Sequence, residues 1–304
     1  MIRLAVAVAA AALVLIAGDT LAGDPAASDR VVGDPAGGDP AGGGPAGGDT
    51  RTRVAVAGCG APSALMALAP AQARVAARVG RGESLTIVAI GSSSTQGVGA
   101  TTPDLSYPSR LETELKERFP GIAIRVINRG KGGEDVAEEL ARLEHDVIAE
   151  HPQLVIWQVG TNALLRRDDL ATDGELIERG VAQLIASGSD VVLMDMQYAP
   201  RVVARPAYAQ MEQVIANVAK SANIGLFRRF DMTRHWQAGQ PPDALTVIGP
   251  DGLHMTDRGY FCLAANLAEA LAANWWSQER AVQHPPAARI AGFAGPKPVS
   301  PPPD

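Results

Sequence analysis

Four short segments carry the side chains able to do chemistry. Residues 91–97, Gly-Ser-Ser-Ser-Thr-Gln-Gly, follow an apolar run. A small-residue turn of this kind can expose a serine hydroxyl, cradle a phosphate or simply reverse the chain. Residues 128–134, Asn-Arg-Gly-Lys-Gly-Gly-Glu, are rich enough in glycine to let backbone N–H groups approach a ligand, or to be a plain turn. Gly160-Thr161-Asn162 brings in an amide side chain, a group that elsewhere often serves as a turn former or helix cap. Asp251-Gly252-Leu253-His254 spaces a carboxylate and an imidazole three apart. On a helical turn that spacing lets them face one another, so that Asp251 can hold a ring N–H of His254. His145, His151, His235 and His284 lack a partner at such spacing and read as solvated. A serine hydroxyl is a poor nucleophile near neutral pH and needs an adjacent base, which an Asp–His pair supplies.

Those segments need a frame that brings them together. Between residues 85 and 273, short apolar runs alternate with amphipathic stretches, the pattern of βαβ units around a parallel sheet. The predicted strands are 85–90, 122–127, 154–159, 191–196 and 224–227, rich in β-branched residues as strands covered on both faces are. The predicted helices are 109–118, 135–150, 174–186, 207–222 and 257–273. In the second of them Val136, Leu140, Leu143, Val147 and Ile148 make one apolar stripe. Right-handed crossovers then predict a three-layer α/β/α sandwich with a five-stranded parallel sheet. Ligands of such sheets bind at the carboxyl ends of the strands, and the loops after the first three strands hold the unusual segments.

From about residue 85 to residue 273 the sequence resembles the SGNH/GDSL hydrolase family, whose fold is flavodoxin-like. Gly91-Ser92-Ser93 matches the family's first block, Gly-Asp-Ser, and Thr95 and Gly97 sit where the family often has Thr and Gly. Gly133, five residues after Asn128, best matches the second block's glycine, with Gly130 and Gly132 as alternatives. Gly160-Thr161-Asn162 matches Gly-x-Asn, and Asp251 and His254 match the closing Asp-x-x-His. The resemblance implies a serine esterase with Ser93 as nucleophile, His254 as general base and Asp251 orienting the ring. It implies an oxyanion hole of the Ser93 and Gly133 backbone N–H groups plus the Asn162 amide, and no metal or organic cofactor. It favours short acyl esters as substrates, O-acetyl groups on a polysaccharide or glycan foremost. Two departures stand out: Ser92 replaces the usual Asp of the first block, and Ala163 replaces the Asp that commonly follows the third-block Asn. The triad positions are untouched, but the bracing of the serine loop and the surroundings of the substrate no longer follow from the family.

Two other functions compete. A thioesterase or lysophospholipase on the same triad needs a long apolar acyl channel, and no apolar lid insertion is evident. A non-catalytic glycan- or nucleotide-binding module would use residues 91–97 as a binding turn, yet these lack both Gly-Lys-Ser/Thr and a full G-x-G-x-x-G. Tyr107, Trp157, Tyr198 and Trp236 are candidates for lining a sugar or acyl pocket, or for plain core positions.

The 304 residues are 46% apolar, enough for a real core, and their net charge of −6 offers no cationic footprint for nucleic acid. Arg3 followed by an apolar run from Leu4 to Ala17 reads as a signal peptide over 1–22, cleaved after Ala22 or retained as an anchor; the run is short of a bilayer span. The expected location is secreted or periplasmic, with no stable membrane span after cleavage. Residues 23–53 repeat a Gly/Asp/Pro-rich pattern expected to be a disordered linker, and 54–84 form an N-terminal helical extension with a helical stretch over 62–79. Residues 85–280 make the catalytic domain and 281–304 a Pro-rich disordered tail. Nothing in the residues selects an oligomeric state. The two cysteines, Cys59 and Cys262, are expected as a bridge in an exported chain, against the alternatives of two free thiols or lipidation of Cys59.

Overall fold

The residues Ile87, Val88, Ala89 and Ile90 alternate in direction along an extended chain, yet all four are fully buried. Their strand is therefore covered on both faces, as a central parallel strand must be. The computed structural model describes residues 58–166, 169–238 and 246–283. In it β1 (Leu85–Gly91), β2 (Ile124–Gly130), β3 (Leu154–Gln158), β4 (Asp190–Met194) and β5 (Gly225–Phe227) form one parallel sheet in the order β2-β1-β3-β4-β5. Strand order reverses between β1 and β3, and the crevice at their carboxyl ends is the switch point where doubly wound sheets bind ligands.

In chain order the helices are α1 (Ser63–Met66), α2 (Ala73–Gly80), α3 (Ser93–Gln96), α4 (Tyr107–Arg118), α5 (Val136–Ala141), α6 (Leu143–Asp146), α7 (Thr161–Arg166), α8 (Leu170–Ala186), α9 (Pro200–Val203), α10 (Tyr208–Ser221), α11 (Arg229–Ala238) and α12 (Asp257–Gln283). Helices α2 and α4 pack on α12, while α5 and α10 pack on α8; the two groups make the outer layers of the α/β/α sandwich. The described residues fall within one compact unit. No helix among them is long and apolar enough to cross a membrane. The expected signal peptide (1–22), the linker (23–53) and the tail beyond residue 283 lie outside the described residues.

Several elements differ from expectation for local reasons. Strand β2 continues to Gly130 because Asn128, Arg129 and Gly130 stay in register with Ala89, Ile90 and Gly91, although their side chains break the apolar pattern. The single helix expected over 135–150 is instead α5, α6 and a 3-10 turn over Ile148–Glu150. Its break falls at Arg142, whose guanidinium is drawn to the Glu134 carboxylate, the Arg129 carbonyl and the Asp146 carboxylate. Pro70, which cannot donate a backbone hydrogen bond, lies between α1 and α2 and splits the stretch expected over 62–79. Helix α8 starts at Leu170, four residues early, because Asp169 accepts from the Ala171 N–H at 3.1 Å. Helix α12 runs to Gln283, past the end expected at 273 and into the first residues of the expected tail.

The segment before β1 is stitched to the last helix. Cys59 and Cys262 form a disulfide with a Cα–Cα distance of 5.1 Å. Asn266 donates to the carbonyls of Cys59 and Cys262, Asn274 donates to those of Leu68 and Pro70, and Trp275 Nε1 donates to Gln72 Oε1 at 2.6 Å. Val75, Ala76 and Val79 of α2 belong to the common core. A bridge across 203 residues removes loop-closure entropy from the unfolded chain, about 5 kcal/mol in the chain-entropy account and less where the native state is strained. The double variant Cys59→Ala/Cys262→Ala is therefore expected to unfold several kcal/mol more easily in urea. Non-reducing peptide mapping of the purified protein is expected to show both cysteines in one linked peptide, and two alkylatable thiols would contradict it.

A second buried feature is polar. Trp157 Nε1 donates to Glu139 Oε2 at 2.7 Å, and both residues are sealed from solvent. Burial dominates over the Trp157 hydrogen bond and nearby Arg142, and pushes the Glu139 carboxyl well above the ordinary carboxylate range. The folded protein thus keeps a proton that the unfolded chain releases. The stability this confers is complete below the unfolded value of about 4.3 and declines as pH rises toward the raised folded value. Glu139→Gln keeps an acceptor for Trp157 and is expected to fold. It should flatten that decline, by up to about 1.4 kcal/mol per pH unit above the unfolded value, read from urea unfolding.

Candidate active site

The first β-strand delivers its chain into α3, a single turn that opens on Ser93. A four-residue helix has no stability of its own, so tertiary contacts fix it. The carboxyl end of β2 comes in so close that a Cβ on Gly130 would sit 2.0 Å from Gln96 N. Only glycine leaves room for that approach. Asn128 Nδ2 donates to Gln96 O, and Gln96 Oε1 accepts from Gly132 N–H at 2.8 Å. From β3, the buried Gln158 carries its amide oxygen to Ser92 N–H and Ser92 Oγ, each at 3.1 Å, and to Thr95 Oγ1 at 3.3 Å.

His254 arrives from a loop closed by an isolated antiparallel bridge between Ile248 and Met255. Its Nε2 lies 2.8 Å from Ser93 Oγ, and its Nδ1 lies 2.5 Å from Asp251 Oδ2. The other carboxylate oxygen, Asp251 Oδ1, accepts from the backbone N–H groups of Leu253 and His254, both at 3.0 Å. Asp251 and His254 do not sit on a helix as their spacing suggested. They face each other across a tight turn in which Gly252 takes φ +69°, a left-handed conformation that glycine adopts without strain. Partial burial would raise the Asp251 carboxyl, but the Leu253 N–H, the His254 ring and the His254 N–H together hold it below the ordinary value. Asp251 is thus an anion at neutral pH, suited to keeping a proton on the Nδ1 side of the ring.

The expected oxyanion donors differ in which of their N–H groups are already bonded. The Ser93 N–H opens α3 and so has no intrahelical acceptor. Of the three glycines left open by the sequence, Gly130 N–H donates to Asn128 Oδ1 at 2.9 Å and Gly132 N–H to Gln96 Oε1. The Gly133 N–H has no acceptor among the described residues. Its carbonyl accepts from Arg166 Nη2 at 2.5 Å, and Arg166 also pairs with Asp135 and Glu138 at the start of α5. Asn162 Nδ2 donates to Glu134 O at 2.7 Å, which fixes the amide beside the glycine loop and leaves its second N–H for a ligand.

The sequence alone assigns no role to Gln158, Gln197, Gln96 or Arg166. Gln197, fully buried, accepts from Thr161 Oγ1 at 3.3 Å and donates to Leu253 O at 3.0 Å, tying the start of α7 to the histidine turn. A glutamine inside an apolar run is the one available signal, and Gln158 has it. Of the aromatics considered for a pocket, Tyr107, Trp157 and Trp236 are core residues, while Tyr198 is half-buried and meets Phe230 edge-on at 5.4 Å. Ala163 is buried.

A doubly wound sheet with a serine, a histidine and an aspartate gathered at its carboxyl edge is the architecture of SGNH-type hydrolases. Residues 58–275 match the profile of the non-GDSL lipase-like family, and the chain belongs to that family. It is 32% identical over 99 residues to an acetylxylan esterase of Geobacillus stearothermophilus, a match covering 31% of this chain and 45% of that protein. Among solved structures it is similar to CEX, a two-domain esterase active on acetylated mannans and crystallised with mannopentaose, at 26% identity and a TM-score of 0.56. That match covers 67% of this chain and 53% of the other. The chain thus spans about half the length of each of these two relatives. TesA, at 24% identity and a TM-score of 0.54, shares the fold over 62% of this chain and 99% of its own.

The Asn162 amide gives a direct test of the oxyanion arrangement. Asn162→Ala is expected to lower kcat by about 10²- to 10³-fold with KM little changed, as loss of one such donor does elsewhere. An unchanged kcat would leave Asn162 as a tie to Glu134 O alone.

Proposed function

We propose that the protein is an exported serine ester hydrolase that removes short acyl groups, O-acetyl foremost, from a polysaccharide or glycan. The observation that carries this reading is the continuous chain from Ser93 Oγ to His254 Nε2 at 2.8 Å and from His254 Nδ1 to Asp251 at 2.5 Å. The acetylxylan and acetylated-mannan esterases to which the chain is similar support the choice of substrate class. The disulfide suits an oxidising compartment, in keeping with the signal peptide expected over 1–22.

In this reading Ser93 Oγ attacks the ester carbonyl while its proton passes to His254 Nε2. Asp251 keeps the other ring nitrogen protonated and stabilises the imidazolium. The tetrahedral oxyanion takes hydrogen bonds from the N–H groups of Ser93 and Gly133 and from Asn162. Collapse returns the proton from His254 to the departing sugar hydroxyl and leaves an acyl-serine. Water, deprotonated by the same nitrogen, then releases the acid and restores Ser93.

A fluorophosphonate probe is expected to label Ser93, identified by peptide mass mapping, and Ser93→Ala to abolish both labelling and acetate release from acetylated xylan or mannan. Modification at Ser92 or Ser94 would overturn the nucleophile. With p-nitrophenyl esters the expected preference is acetate over decanoate, and the reverse order would favour a thioesterase or lysophospholipase.

A further inference from the structure

The turn that presents Ser93 is held from beneath by a residue outside every motif. Gln158 ends β3, is 1% exposed, and turns its amide oxygen toward the neighbouring strand's end, where Ser92 N–H, Ser92 Oγ and Thr95 Oγ1 converge on it. Ser92 and Thr95 are buried as well, at 3% and 0% exposure, so these donors have no water to fall back on. They flank Ser93 on both sides. Two sit on Ser92, the residue before it and the N-cap of α3, and the third on Thr95, two residues after it within the turn. With both ends of the turn bonded to one oxygen, rotation of the Ser93 peptide relative to the sheet is blocked.

The directions of these bonds are fixed by donor supply. An amide oxygen only accepts, so both hydroxyls give their protons to Gln158. The Thr95 oxygen is then left as acceptor for the Tyr107 hydroxyl, 3.3 Å away. Burial pushes that phenol up to about 12, so it keeps its proton and can donate. The chain Tyr107 to Thr95 to Gln158 therefore runs one way and ends on a neutral group. A carboxylate in place of the amide would also accept these bonds, but it would bring a negative charge beneath the point where the oxyanion forms.

We propose that Gln158 is a positioning residue for the hydrolytic reaction: through Ser92 and Thr95 it holds Ser93 Oγ toward His254 Nε2 and the Ser93 N–H toward the substrate, and does so without charge. The inference rests on the reading of Ser93 as nucleophile. Gln158→Leu removes the shared acceptor. It is expected to lower kcat on p-nitrophenyl acetate and the fluorophosphonate labelling rate together, by about 10- to 100-fold, with KM within about twofold of the parent. Gln158→Glu keeps the acceptor but adds charge beneath the oxyanion, so it is expected to recover only part of the labelling rate lost in Gln158→Leu. The introduced carboxylate stabilises the imidazolium of His254, so the acid limb of the kcat/KM profile should move to higher pH.

These readouts separate positioning from bulk stability, which thermal unfolding of the same variants reports. Parental kcat and labelling in Gln158→Leu, whatever its melting temperature, would overturn the proposal. So would a Gln158→Glu enzyme no faster than Gln158→Leu, or one with an unmoved acid limb. Labelling that survives Ser93→Ala is a different result, because it removes the nucleophile reading itself.

Discussion

The hydrogen bond between Ser93 Oγ and His254 Nε2 joins residues 161 apart, and neither partner sits on an element that could hold it alone. Helix α3 is one turn long, and the histidine loop is closed by one isolated bridge. Precision has to come from what links the two segments downstream. Asp257, the first residue of α12, accepts from Thr101 N–H at 2.9 Å and from Thr101 Oγ1 at 2.8 Å. Tyr260, one turn on, donates to Val98 O at 2.6 Å. The loop after Ser93 is thereby fastened to the helix that begins three residues after His254. Helix α12 is itself anchored in its first half by Cys262 and Asn266 and further along by Asn274 and Trp275. The segment before β1 thus acts on the site indirectly, by fixing the helix against which both halves of the contact are referenced.

A second constraint is polar. The site lies where β1, β2 and β3 end, and the buried polar groups at the ends of β1 and β3 must find partners without water. The protein answers with neutral side chains at the deepest positions. Gln158 serves the serine turn, Gln197 spans α7 and the histidine turn, and Glu139 keeps its proton beside Trp157. A buried amide bonded through both its oxygen and its nitrogen, as Gln197 is, fixes geometry at small cost, whereas an unpaired buried charge would carry a large desolvation penalty.

The frame was legible in the residues because it rests on apolar periodicity. β1 and β3 read correctly to within a residue since every position in them is apolar or nearly so. The ends of elements were harder, for a physical reason: β2 continues through Asn128 and Arg129 by backbone pairing with β1 rather than by apolar pattern, and the 135–150 stripe is interrupted by Arg142, which bonds Arg129, Glu134 and Asp146. For the site, side chains with a chemical signature were visible as motifs: Ser93, His254 and Asp251 form one hydrogen-bonded chain, and Asn162 bonds the carbonyl of Glu134, the neighbour of Gly133. The residues that brace them were not, because a buried glutamine has no pattern until its partners are known. Which of Gly130, Gly132 and Gly133 has its N–H already bonded is likewise a property of the folded loop.

Charge placement completes the logic of the two departures at Ser92 and Ala163. An oxyanion is stabilised by fixed dipoles and opposed by nearby anions, and in a water-poor site that opposition is strong. With Ser and Ala at these positions, the acids left around the glycine loop are Glu134, Asp135 and Glu138. Glu134 meets Lys131 at 3.0 Å and Arg142 at 2.7 Å, while Asp135 and Glu138 share Arg166. Each carboxylate on the donor side of Ser93 is thus matched by a cation, and Arg166 does this while also holding the Gly133 carbonyl. Asp251 stands apart, half exposed on the far side of His254, where a negative charge assists the imidazolium that forms during attack. The arrangement sorts charge by its effect on the proposed reaction: anionic behind the base, neutral beneath the nucleophile, and compensated around the oxyanion donors.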